Sequence, residues 1–327
     1  MDSQYSIKPL DFDGVSTYPI GERKSKVNAG MFGKPMDGSE NVLGLISKLP
    51  HILAADSLRT LIRAILYARA SNKPIIWGLG GHVIKVGLGP VINDLMQSGL
   101  VTGVAMNGSA AIHDFEVALV GATSEEVEEQ IRGGRFGMAH ETAEYMNAAV
   151  ASAAAGGIGM GEGLGRSIAD EHGKIDFRYR PISVLAEAYS RKIPVTVHVA
   201  LGTDIIHAHS HTSGQDLGNA SYRDFRLFCS MARELDGGGV YLNIGSAVVL
   251  PEVFLKAVSV VRNLGHPLQE FTTANLDFIQ HYRPTQNVLK RPTQNSGQAI
   301  ALTGHHEIMV PLLAAALKAS LNGRSRE

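Results

Sequence analysis

Pro74-Ile75-Ile76-Trp77-Gly78-Leu79-Gly80-Gly81-His82-Val83-Ile84-Lys85 is the stretch on which the fold turns. Residues 74–78 form a short apolar run stopped by glycine, the pattern of a strand buried on both faces. The glycines free the backbone for a tight turn, and residues 83–98 then read as a helix. A second apolar run follows at 100–106. Strand, glycine turn, helix and strand in that order build a parallel sheet, because parallel neighbours need a crossover.

The rhythm continues in both directions. Upstream, Leu43, Leu45, Ile46 and Leu49, then Leu58, Leu61, Ile62, Ile65 and Leu66, are spaced as amphipathic helices require. Downstream, helices are expected at 124–132, 142–155, 181–191, 221–235, 251–263 and 309–321, with strands at 193–199, 239–244 and 299–303. The fold class is therefore α/β: a single doubly wound, mainly parallel sheet flanked by helices over residues 41–327. Residues 1–40 read as an irregular N-terminal arm. Arg283-Pro284-Thr285-Gln286-Asn287 recurs as Arg291-Pro292-Thr293-Gln294-Asn295, too short a period for a solenoid, so a loop with two similar turns is expected.

Composition narrows the function classes. The 327 residues are 44% hydrophobic and 19% charged, too apolar for disorder. Thirty basic residues balance thirty-one acidic ones, so nothing in the totals calls for nucleic acid or a membrane surface as partner. Cys229 is the sole cysteine, which excludes an intrachain disulfide and a thiolate zinc cluster. Met1 to Lys8 lacks the apolar core of a signal peptide and no run is long enough to span a bilayer, so a cytoplasmic location is expected. Glycine clusters at 78–89, 156–165 and 237–239, each beside an apolar run, as where α/β proteins bring backbone close to a ligand.

Several strand ends carry chemistry. Gly80, Gly81 and His82 offer free backbone N–H groups to an anion, with Lys85 just beyond, although neither the GxGxxG nor the Walker spacing is present. Asn107, Gly108, Ser109, His113, Asp114 and Glu116 crowd ten residues after the next strand, where open α/β sheets bind ligands. Six glycines between Gly156 and Gly165 predict a lid or ligand loop, with Glu162 its one ionisable group. His207, His209 and His211 would share one face of an extended chain and could hold a divalent metal such as Zn. His305 and His306 follow the last expected strand and fit the same substrate-binding edge.

Four further pieces carry a resemblance. Ile193-Pro194-Val195, then Thr203-Asp204, then Gly237-Gly238-Gly239-Val240, and finally Val310-Pro311-Leu312-Leu313 resemble deoxyhypusine synthases in order and approximate spacing across residues 190–320. The resemblance implies a Rossmann-type NAD-binding fold and a homotetramer with active sites between paired subunits. It implies chemistry in which spermidine is oxidised with NAD and its aminobutyl group passes through an active-site lysine to a protein lysine. The family's Ser-Trp-Gly-Lys stretch is replaced here by Asn287-Val288-Leu289-Lys290, which leaves Lys290 as the candidate covalent group. The family's histidine after the triple glycine is absent from Tyr241-Leu242-Asn243-Ile244, and its Glu-Phe-Asp-Gly-Ser stretch is replaced at 271–277. Asp204 stands as the counterpart of a cofactor- or substrate-side aspartate.

These readings describe a diverged relative, a transferase or oxidoreductase binding NAD or a related nucleotide and a small polar or amine substrate. The catalytic set is Lys290, His113, Asp114 and Asp204. The cofactor set is Gly80, Gly81, His82, Asn107, Gly108, Ser109, Gly238 and Gly239, with Glu116, Glu162, His305 and His306 on the substrate side. A homo-oligomer, dimer or tetramer, is expected. Two alternatives stay open: a metal-dependent enzyme on the same fold using the histidines, and a non-catalytic ligand-binding protein.

Overall fold

A computed structural model describes residues 3–324, Arg324 by its backbone alone; positions 1 and 2 of the arm and 325–327 lie outside the described residues. Six strands form one sheet: β1 (Ile75–Leu79), β2 (Gly103–Asn107), β3 (Val195–His198), β4 (Gly239–Ile244), β5 (Phe271–Asp277) and β6 (Gln298–Thr303). All neighbours are parallel, in the order β3-β2-β1-β4-β5-β6. The chain thus winds outward from β1 to one edge, returns, and winds to the other. The direction of winding reverses between β1 and β4, the place where open α/β sheets commonly bind ligands.

Helices cover both faces. They are α1 (Val42–Lys48), α2 (Leu53–Ala70), α3 (Gly81–Lys85), α4 (Gly89–Gln97), α5 (Gly108–Val120) and α6 (Val127–Gln130) in the first half. The second half adds α7 (His140–Gly156), α8 (Met160–Ala169), α9 (Val184–Ser190), α10 (Gly214–Arg233), α11 (Val249–Asn263) and α12 (His306–Arg324). Strand alternation divides the core in two. Ile75, Trp77, Leu79, Val104, Met106, Leu242 and Ile244 point into the larger cluster, with α2, α4, α5, α8, α9 and α12. Ile76, Ala105 and Tyr241 point the other way, against Phe228, Phe254 and Val288.

The structure departs from the sequence reading in instructive places. The helix expected at 83–98 is two helices, broken where Gly87 takes φ +80° and Pro90 opens α4. β5 was not foreseen, because Thr272, Thr273, Asn275 and Asp277 disguise a strand buried at every residue. Its polar groups are absorbed sideways: Asn243 Nδ2 donates to Asn275 Oδ1 at 2.7 Å, and Asn275 Nδ2 donates to Gln280 Oε1 at 2.8 Å. The repeat at 283–295 splits, its first copy opening a π-helix (Pro284–Lys290) and its second running through turns.

The glycine run at 156–165 is a helix, not a loop. Gly157 ends α7 in the left-handed region at φ +68°, and α8 begins three residues later. Along α8 the glycines face neighbouring backbone: a Cβ on Gly161 would stand 2.3 Å from Val195 O, and one on Gly165 would stand 2.7 Å from Leu185 O. Close packing, not mobility, explains the composition.

Candidate active site

Three consecutive strand ends build a cleft of about 1000 Å³ at the carboxyl edge of the sheet. After β1 comes Lys85; after β2 come Ser109, His113 and Glu116 on α5; after β3 come Thr203 and Asp204. Residues 121–139 close one side with Thr123, Glu125 and Phe136, while Thr142, Tyr145, Lys174, Arg178 and Tyr179 complete the wall. The local reason is α5 itself. Asn107 caps it, its side chain accepting from Ala110 N at 2.9 Å, which starts the helix as β2 ends. His113 and Glu116, one turn apart, then share a face.

A hydrogen-bonded relay occupies the middle of the cleft. Thr123 Oγ1 lies 2.7 Å from His113 Nδ1 and donates to Glu116 Oε2. Thr142 Oγ1 donates to Glu116 Oε1 at 3.1 Å. Burial pushes the Glu116 carboxyl up, but the neighbouring His113 and the bonds from Thr123 and Thr142 outweigh that and hold it below the usual carboxylate range. Glu116 is therefore the ionised, accepting end of the relay.

Asp204 sits over the first turn of α5. A Cβ on Gly108 would come 2.0 Å from its Oδ2, so glycine is required there for the carboxylate to approach. Burial raises the Asp204 pKa, partly countered by His207, whose Nε2 lies 4.0 Å from Oδ2. His207 Nδ1 in turn accepts from the backbone of Gly202 at 3.1 Å and Asp204 at 3.3 Å, which fixes the loop that presents the carboxylate.

Beside the cleft, at the reversal of the winding, the backbones of β1 and β4 nearly touch. A Cβ on Gly80 would lie 2.0 Å from Gly245 O, and one on Gly81 would lie 2.2 Å from Ser109 Oγ. The two turns therefore pack backbone against backbone. An aromatic group stands beside them: His82 packs 5.6 Å from His306 and 6.0 Å from Phe278, and His305 stacks 6.4 Å from Phe278. His306 is fully buried, its Nδ1 without a partner among the described residues, and burial lowers its pKa despite the bond of Nε2 with Leu276 O.

No sequence profile of a known family matches the chain, and no curated protein matches it. Solved structures do. A conserved protein of the LOR/SDH kind from Methanococcus maripaludis S2 superposes with a TM-score of 0.51 at 14% identity, over 83% of this chain and 71% of its own. A candidate deoxyhypusine synthase from Entamoeba histolytica superposes with a TM-score of 0.50 at 12% identity, over 88% of this chain and 96% of its own. This is a deoxyhypusine synthase-like fold. A ternary complex of AgrE with ornithine and NAD+ shares it, with a TM-score of 0.52 at 14% identity, over 84% of this chain but 35% of AgrE.

On this deoxyhypusine synthase-like sheet the candidate residues sort by edge. Ser109, His113, Glu116 and Asp204 converge in the cleft, while Gly80, Gly81, His82, His305 and His306 lie beside it at the ends of β1 and β6 without lining it. Asn107 and Gly108 shape the start of α5 between the two groups. Asp114 lies on the opposite side of α5, accepting from Ser183 Oγ at 2.6 Å, Val184 N at 2.8 Å and Leu185 N at 3.0 Å. Its carboxylate anchors the start of α9 inside the core. Gly238 precedes β4 and Gly239 opens it, so both lie at the amino edge, where a Cβ on Gly238 would strike the Tyr67 ring at 2.5 Å. Lys290 is exposed at the end of the π-helix, as the chain returns towards the amino edge to enter β6. Glu162 is exposed on α8 and does not line the cleft.

The expected histidine face does not form. The chain turns into a 3-10 helix at Ile205–Ala208, so the alternation that an extended segment would impose is lost. His207 holds its own loop, His209 Nε2 binds Gly137 O at 2.8 Å, and His211 is exposed. Among the described residues no three His, Cys, Asp or Glu side chains gather to hold a metal ion. The sequence reading also missed Thr123, Thr142, Tyr145 and Arg178. Thr123 and Arg178 come from segments with no apolar rhythm or motif, and Thr142 and Tyr145 lie near the start of α7, where helical spacing alone marks no polar side chain as part of a site.

Proposed function

We infer that the chain is an NAD-dependent enzyme acting on a small amine-bearing substrate. The observation that carries this reading is the His113–Thr123–Glu116 relay facing the cleft at the strand ends. The likeness to AgrE, whose complex holds ornithine and NAD+, supports the pairing of a dinucleotide with an amine. The residues present fit such a cofactor in part. The Ser109 hydroxyl in the cleft offers a polar contact, and the exposed rings of His82 and Phe278 nearby offer a flat surface. The acidic residue that ends the second strand in many dinucleotide folds has Asn107 in its place.

Bound NAD supplies a hydride acceptor. The remaining chemistry belongs to this chain's own side chains. Glu116 and Asp204 give the cleft the negative charge that draws an ammonium group, and Tyr145 and Phe136 shield it from water. With Nδ1 engaged by Thr123, His113 presents Nε2 as the atom that takes a proton from the bound amine. Assembly as a homo-oligomer is part of the same reading.

The test is a titration of the purified full chain with NAD+, followed by turnover with primary diamines read as reduced nicotinamide absorbance. Binding in the micromolar range, and a loss of turnover of about 10³-fold in His113→Ala, are expected. No binding at millimolar NAD+ would overturn the cofactor, and unchanged turnover in His113→Ala would overturn the site.

A further inference from the structure

Residues 121–139 join α5 to α7 across the mouth of the cleft, and their contacts with the body are few. Thr123 reaches Glu116 and His113, and the carbonyl of Gly137 meets His209 Nε2. A third bond, from Gly137 N to Glu125 Oε1 at 2.8 Å, ties the two ends of the segment to each other. Between these points the chain is almost wholly exposed, and Val127 and Ile131 remain 44% and 60% accessible. Left-handed backbone brackets it: Gly121 at φ +74°, Ser124 at +71°, Gly134 at +67° and Gly137 at +75°. A segment with little buried apolar surface, pinned at two points and turned at its ends, opens at small free-energy cost.

The pin at Thr123 is also the centre of the relay. Glu116 is ionised and can only accept, so the single hydroxyl proton of Thr123 goes to it. Thr123 Oγ1 then accepts from His113, which places the imidazole proton on Nδ1 and leaves Nε2 as a free lone pair. Without Thr123 the link is broken, because His113 Nδ1 and Glu116 Oε2 are 3.8 Å apart, beyond hydrogen-bond reach.

We propose that residues 121–139 are a lid and that Thr123 is a positioning residue, so that closing the lid sets the His113 tautomer and assembles the base. A substrate that favours the closed lid thereby switches on the group that takes its proton. Chemistry before closure is disfavoured, because an open lid leaves His113 free to carry its proton on either nitrogen. This inference rests on the cleft being the active site, and its test separates the two.

Thr123→Val and Thr123→Ser are compared with the wild type by long-range 15N–1H NMR of the His113 ring, without ligand, and by steady-state kinetics. In wild type and Thr123→Ser the neutral ring should be the Nδ1–H tautomer. In Thr123→Val it should be mixed, with kcat lowered roughly 10²-fold, KM nearly unchanged and amide exchange over 121–139 about tenfold faster. A pure Nδ1–H tautomer in Thr123→Val, or exchange as slow as in wild type, would overturn the proposal whatever the enzyme's substrate. Should His113→Ala leave turnover intact while the tautomer responds to Thr123→Val, the functional reading fails and the lid relay stands.

Discussion

Asp114 and Glu116 are two positions apart on α5, and their carboxylates do opposite work. A helix turns roughly 200° over two residues, so the pair cannot share a face. Asp114 is driven inward to the start of α9, where one hydroxyl and two backbone N–H groups meet it. Burial raises its pKa to about 6, against those bonds, which lower it. Glu116 looks outward into the cleft, where bonds from two threonines and a histidine close by keep its pKa low. The pair teaches that a polar cluster in sequence is two clusters in space once a helix is drawn through it. One carboxylate holds the scaffold, and the other is free to serve a ligand.

The difference can be broken by substitution. Asp114→Ala should cost about 3 kcal/mol of stability, because Ser183, Val184 N and Leu185 N are left buried without their acceptor. Glu116→Ala should cost about 1 kcal/mol or less, yet abolish the relay. Denaturant melts of both variants decide the point, and equal losses would collapse the distinction. Gly161→Ala asks whether tight packing elsewhere matches the Asp114 anchor. Its Cβ would press on Val195 O, and about 2 kcal/mol of destabilisation is expected in the same assay.

Asp224 sharpens the comparison as a third buried carboxylate. Its Oδ2 accepts from Gly161 N and Val197 N, both at 2.8 Å, but its Oδ1 has no partner. Burial raises its pKa from 3.8 to about 7. The folded state then holds the proton more tightly than the unfolded chain, so this residue's contribution falls as pH rises from about 4 to about 7. Asp224→Asn mimics the protonated acid and should flatten that slope, gaining about 4 kcal/mol at pH 8 relative to pH 4. Melting curves across that range check it. The smallest effect is expected at Lys290: with the side chain exposed away from the cleft, Lys290→Ala should leave turnover within about twofold of wild type in the nicotinamide assay.

Much of this site was legible in advance because it follows one strand. Ser109, His113 and Glu116 lie within a single turn-and-helix segment after β2, where ligand sites on open sheets gather. Asp204 was legible through the resemblance. Thr123 and Thr142 were not, since a lone hydroxyl, in the loop after α5 or on the first turn of α7, carries no signal of its own and gains meaning from the carboxylate it meets. The glycines of α8 misled because composition records the lack of a side chain without recording what comes close in its place. The histidines at 207–211 misled because their alternation presumed an extended backbone, and a short 3-10 turn removed it.

By itself the sequence determined the α/β class, the parallel sheet and the position of most strands and helices. Those follow from local periodicity and from glycine placement, which act over a few residues. Tertiary structure alone decided the strand order. It also decided which carboxylate faces the cleft and which loop hydroxyl bridges His113 and Glu116. Each of these depends on contacts between segments far apart in the chain, and their energies belong to pairs of residues rather than to either one.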